Sequence, residues 1–224
     1  MEFDCLSSVT IHYRSEPLLR QSLEPAGSAQ YPPLVWRVME APLPILIADA
    51  PEALIELCGV NLLERLLRIL QRLGFRHAIV FSKTPEIVGA ELARRSWARE
   101  EIVVQLVPDA IGPVTAQVLL DQIPSERSLI VPANIYCDGR LFAALCAKDS
   151  SAALVDSNPP EFAKHLIRNP CGPALITRGV LLGFSPAAPF FEELKNKVDS
   201  RRIDMYNRSA FGRHQSSTVA WRSA

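Results

Sequence analysis

The sequence predicts a three-layer α/β/α domain, with helices on both faces of a mixed, mostly parallel sheet. Three observations point there. From Ile45 onward, short apolar runs alternate with longer amphipathic stretches, which is the rhythm of strands and helices taken in turn. The apolar runs are continuous rather than alternating with polar residues, so each strand is buried on both faces. And the stretch Leu43–Val80 reads as strand, loop, helix and strand, a complete βαβ unit.

That unit sets the pattern for the rest. Ile45–Ala48 is its first strand, Asp49–Glu56 a polar loop, and Cys58-Gly59 a turn. Val60–Leu73 is a helix with Leu62, Leu63, Leu66, Leu67, Leu70 and Leu73 on one face. Glu64, Arg65, Arg68, Gln71 and Arg72 take the other face, with Glu64 and Arg68 spaced as an ion pair. Gly74 ends the helix and Ala78–Phe81 is the second strand. Further strands are expected at Ile102–Val107, Ser128–Val131, Ala152–Val155 and Ala174–Thr177. Further helices are expected at Pro85–Arg95, Val114–Ile123, Arg140–Ala147 and Phe190–Lys197. Thr84 is placed to cap the first of these, with Pro85 in its first turn. Ahead of the domain, Thr10–Tyr13 suits a short strand and Glu16–Leu23 a short helix, before Pro25, Gly27, Pro32 and Pro33 interrupt regular structure. The organisation expected is an extension over 1–40, a domain over 41–208 and a tail over 209–224.

Composition narrows the function classes. Hydrophobic residues make up 48% and charged residues 21%, enough apolar surface for a core. Lys and Arg together equal Asp and Glu at 24 each, which speaks against a nucleic-acid partner. No apolar run is long enough to span a bilayer, and the start MEFDCLSSVT is unlike a secretory signal. Five dispersed cysteines without a CxxC pair suit reduced thiols in a cytoplasmic protein, with Cys58 and Cys146 read as buried.

Candidate site residues follow from strand ends, where open α/β sheets bind ligands. Asp49 closes the first strand and is either a cofactor-site residue, as a metal ligand or base, or an Asp making a turn or helix-cap contact. Lys83 follows the second strand and is a basic residue placed to meet a phosphate, or else a solvated lysine. Asn134 follows the strand Ser128–Val131 and is either a metal or ribose contact or a polar turn residue. Asp138 before Gly139 is either cleft-facing or a helix cap, and Asp156 a substrate contact or a turn cap. His77, at a strand entrance, reads as structural.

Four segments together resemble a family. CGVNLLERLLRILQRLGFRHAIV, IGPVTAQVLLDQIP, SLIVPANIYCDGRLFAAL and RRIDMY are similar, in this order, to segments of GT-A-type nucleotidyltransferases. The nearest flavour is the cytidylyltransferase-like domain found with CDP-alcohol phosphotransferases. The resemblance covers about residues 43–205 and implies a Rossmann-like fold of the nucleotide-diphospho-sugar transferase type. It implies Gly112, Thr115 and Gln117 on the nucleotide side, Asn134 and Asp204 at a Mg²⁺ ion, and Lys83 as an electrostatic helper.

The sequence departs from that family where charge is handled. The family opens on a glycine-rich loop followed by a lysine, whereas Ala48-Asp49-Ala50-Pro51-Glu52-Ala53 has no glycine and two acids. Pro51 has no N–H to offer a phosphate, and Asn134 stands where the family has a metal-binding aspartate. The expected activity is therefore transfer of a nucleotidyl group, from CTP, to a phosphorylated sugar or polyol, through an eroded site. The alternative is a non-catalytic relative that binds a nucleotide or a partner protein, or assembles with itself.

Overall fold

The computed structural model describes residues 9–11, 41–49, 51–94, 102–108, 113–155, 171–199, 204–207 and 222–223. Elements run in chain order: β1 (Val9–Ile11), β2 (Leu43–Ile47), β3 (Glu56–Leu57), β4 (Val60–Asn61) and α1 (Leu62–Arg72). Then come β5 (His77–Ser82), α2 (Pro85–Ala93), β6 (Val103–Pro108), α3 (Ala116–Gln122), β7 (Arg127–Pro132), β8 (Ile135–Tyr136) and α4 (Gly139–Cys146). The last are β9 (Ala152–Val155), β10 (Cys171–Thr177), α5 (Arg178–Leu181), α6 (Phe190–Asp199), β11 (Asp204–Asn207) and β12 (Arg222–Ser223). Eight strands form one sheet in the order β1-β6-β5-β2-β7-β10-β9-β11. The block β6-β5-β2-β7 is parallel, as is the pair β9–β11, while β1 and β10 run against their neighbours.

Strand side chains alternate between two apolar layers, as the pleat requires. Leu46, Val80, Val104, Leu129 and Val131 meet the leucine face of α1, with α2 and α4 beside it. Ile45, Ile47, Ile79, Phe81 and Ile130 meet α3, α5 and α6 on the other side. The expected leucine face is buried throughout, from Leu62 to Leu73. Glu64 is the exception to the expected polar face. It is buried, its backbone N–H caps onto the Asn61 side chain at 2.7 Å, and its carboxylate accepts from Arg68 Nε at 3.0 Å.

The loop between β2 and α1 differs most from expectation. Pro51–Leu54 forms a 3₁₀ turn that buries Ala53 in the core. Residues 56–61 then form a hairpin, in which Glu56 pairs with Asn61 and Leu57 with Val60. Its two-residue turn, Cys58-Gly59, has φ of 54° and 74°, the paired left-handed geometry that matches hairpin twist. Cys58 is thus exposed rather than buried, whereas Cys146 is buried as expected. The hairpin also delays α1, which starts at Leu62 with Asn61 as its cap rather than at Val60. Gly74 ends α1 at φ 93°, with Gly74 N–H donating to Gln71 O and Phe75 N–H to Leu70 O, a Schellman close.

Elsewhere the boundaries shift by a few residues. Thr84 occupies the cap position of α2 without a side-chain capping bond, and its own N–H donates to Ser82 Oγ. Asp138 caps α4 as expected, accepting from Arg140 N–H at 2.8 Å. The strand expected at Thr10–Tyr13 is β1, paired to the edge of the sheet at β6. The helix expected at Glu16–Leu23 lies outside the described residues.

Candidate functional site

Pairing registers align the ends of three adjacent strands. Ile47 is opposite Phe81 on one side and Pro132 on the other. Ala48 N–H donates to Phe81 O and Ala133 N–H to Ile47 O, both at 2.8 Å, so the alignment continues one residue past the strands. The next position on each chain is Lys83, Asp49 and Asn134. Neighbouring strands lie about 4.8 Å apart, so the backbone positions of these three residues follow one another in a short row at the ends of adjacent parallel strands. Lys83 is exposed, while Asp49 and Asn134 are half-buried. Asn134 sits in the turn between β7 and β8. The row offers one cation, one carboxylate and one neutral amide.

The other residues read from the sequence divide. Thr115 caps α3, its Oγ1 accepting from Val118 N–H at 3.4 Å, and it bridges to Pro189. Gln117 is exposed and donates its side-chain N–H to Asp121 at 2.7 Å. Gly112 and Asp156 lie outside the described residues.

Asp204 is not brought to the row. It opens β11 opposite Ala152, which is level with Leu175 and, through β10, with Leu129. Leu129 lies five residues before Asn134, roughly 16 Å along the strand axis, and β11 stands three strands from β7. A late strand that the sequence did not announce forms over this segment, and its register sets Asp204 at the end of the sheet away from Asn134. Among the described residues, no group of three or more His, Cys, Asp or Glu side chains is placed to hold a metal.

Around the row, charge is controlled locally. Beyond Asn134, Arg140 is fixed to Asp138 by two contacts of 3.0 Å. Partial burial alone would raise the Asp138 carboxyl, but hydrogen bonds and charge from Arg140 hold it below the usual range. Burial pushes the neighbouring Cys137 thiol far up, and Asp138 adds to the effect. Burial also pushes Cys146 up to about 12, against the pull of Arg127, so neither thiol is a nucleophile near neutral pH. His77 begins β5 with its side chain exposed, away from the row.

Sequence reasoning overlooked one feature beside this edge. A groove of about 190 Å³ runs between α1 and the start of α4, lined by Arg65, Arg68, Arg72, Tyr136 and Asp138 among others. Its signal was present in the spacing of the three arginines along one helix, but that pattern reads equally as a solvated face.

No protein-family model matches the chain, and no curated protein matches it by sequence. Solved structures do match. The inositol-1-phosphate CTP transferase of T. maritima superposes with a TM-score of 0.57 at 12% identity, over 83% of this chain and 90% of that one. A UDP-glucose pyrophosphorylase complexed with UDP-glucose gives 0.56 at 10% identity, over 75% and 90%. A Mycobacterium tuberculosis protein in complex with manganese gives 0.54 at 13% identity, over 75% and 87%. The fold is nucleotidyltransferase-like. It is the three-layer α/β architecture with a mixed, mostly parallel sheet that the sequence predicted. Among the described residues, no helix is long and apolar enough to cross a membrane.

Proposed function

We propose that this chain is a nucleotidyltransferase-type domain that seats a nucleotide, CTP on the resemblance, over the row Lys83–Asp49–Asn134. The observation that carries the reading is the row itself, a cation, a carboxylate and an amide aligned on adjacent strand ends of this fold. In the ancestral reaction a phosphate oxygen of a sugar or polyol phosphate attacks the α-phosphorus. The bond to the bridging oxygen breaks and pyrophosphate leaves with that electron pair.

Lys83 is exposed, and on this reading it spreads charge on the triphosphate. The Asp49 carboxylate and the Asn134 amide oxygen together suit a Mg²⁺ site completed by phosphate oxygens and water. Bound there, the ion would neutralise charge developing on the leaving pyrophosphate. Asp204 is outside this donor set. Gly112, Thr115 and Gln117 belong on the nucleotide side by resemblance, and a cytoplasmic setting suits the reduced thiols.

A second reading, a binding domain without turnover, is favoured by one specific observation. The chain after Asp49 is a 3₁₀ turn begun by Pro51, with Glu52 in its first turn and Ala53 locked in the core. That segment cannot converge successive N–H groups on a polyphosphate as a glycine loop does. Partner binding and self-association belong to this reading, as does descent from the leading domain of a fused lipid-headgroup enzyme.

The two are separated by pyrophosphate release with CTP, Mg²⁺ and either inositol 1-phosphate or glucose 1-phosphate. Release that falls about tenfold or more in Lys83→Gln supports transfer at this row. CTP binding without release supports the second reading. Release that Lys83→Gln and Asn134→Ala both leave unchanged contradicts the row as the reacting site.

A further inference from the structure

The groove between α1 and α4 is built unlike a solvated surface. Arg65, Arg68 and Arg72 project from α1 at spacings of three and four, which stacks them along one strip. Acidic side chains answer only part of this charge. Glu64 pairs with Arg68 at 3.0 Å, and Asp138 is held by Arg140 at 3.0 Å. Arg65 and Arg72 have no acidic partner among the described residues. Arg65 is half-buried, and one Nη donates to the backbone carbonyl of Leu57. Its guanidinium carbon lies 5.9 Å from the centre of the Tyr136 ring, which orients the group. Its Nε atom is buried and has no hydrogen-bond partner. A buried donor left without an acceptor carries a cost that a ligand oxygen would remove.

The opposite wall approaches closely because of Gly139. A Cβ there would stand 3.2 Å from the Ile69 side chain, so any larger residue would press α4 away from α1. Beside it, β12 pairs with β8, with Arg222 opposite Tyr136 in register. Neither Asp49, Lys83 nor Asn134 lines the groove.

We propose that this groove is a second binding site, separate from the strand-end row, which takes a phosphate group. Arginine suits this ligand because its planar fork donates two parallel hydrogen bonds to a tetrahedral oxyanion. The volume fixes the size of the guest. At about 190 Å³ it is smaller than the ~300 Å³ lower end of sites that enclose whole small molecules. It holds a phosphate or pyrophosphate, or the phosphate end of a larger molecule whose remainder stays in solvent.

The test is titration calorimetry of the full chain with inorganic phosphate, pyrophosphate and glycerol 3-phosphate, at constant ionic strength. The proteins are wild type, Arg72→Gln, Arg65→Gln/Arg72→Gln and Lys83→Gln. Arg72 is exposed in the last turn of α1, so the single variant leaves the core untouched. The double variant should weaken binding by about tenfold or more and Arg72→Gln alone by about threefold. Tighter pyrophosphate than phosphate would identify a diphosphate guest. Equal affinity for phosphate and glycerol 3-phosphate would identify a monoester group. No saturable binding up to about 20 mM of any probe overturns the proposal. So does binding that Lys83→Gln abolishes and the arginine variants retain, because the phosphate then sits in the strand-end row and the reading of that row is strengthened instead.

Discussion

Asp138, which the sequence leaves either cleft-facing or a helix cap, acts as a cap in the structure. It accepts from Arg140 N–H and from the Arg140 guanidinium, and its carboxyl is held below the ordinary range. A depressed folded value means the stabilisation is complete above the unfolded carboxyl value, about pH 4, and is lost as pH falls through the folded one. Asp138→Ala should therefore lower unfolding free energy by about 1 kcal/mol near neutrality, and urea melts should show the gap narrowing in acid. Cys58 carries the opposite lesson. Hairpin turns with two left-handed residues favour Asn-Gly, so a cysteine at φ 54° gave no local sign of the turn and read as core. Its exposure predicts that alkylation of the native protein, mapped by peptide mass, labels Cys58 well before Cys137 or Cys146. Labelling all three at one rate would contradict the burial described.

At the scale of elements, periodicity made most of the fold legible. The leucine spacing of α1 identified both the helix and its buried face, and Gly74 identified its end. Leu67 is fully buried there, so Leu67→Ala should cost about 2–5 kcal/mol in chemical denaturation, a loss no surface site of α1 would match. The strands were legible because unbroken apolar runs demand cover on both faces. What periodicity missed was the segment 51–61. A 3₁₀ turn and a hairpin with two-residue strands are too short to show a period, and both depend on contacts with α1 that close only in the folded chain. That segment bears most directly on the proposed function, because an acidic, packed turn stands where the resemblance implies a phosphate-binding loop.

At the scale of the whole molecule, strand order and register decide which candidates meet. Lys83 and Asp49 follow two strands that the βαβ reading already paired, whereas the strand before Asn134 takes its place beside β2 only in the folded sheet. The place of Asp204 was not legible either, because its position depends on two antiparallel pairings and one parallel one that no local pattern encodes. The groove of arginines also exists only once α4 packs on α1. On the two proposals above, phosphate chemistry has two places, a strand-end row with one cation and a helical groove with three arginines. The measurement that most directly tests the central claim is calorimetric titration with CTP, with and without Mg²⁺, on wild type, Lys83→Gln and Arg72→Gln. Saturable binding strengthened by Mg²⁺ and weakened about tenfold by Lys83→Gln but not by Arg72→Gln is the result expected of a nucleotide seated on the row. CTP binding that ignores Mg²⁺ and Lys83, or none at about millimolar nucleotide, would contradict it.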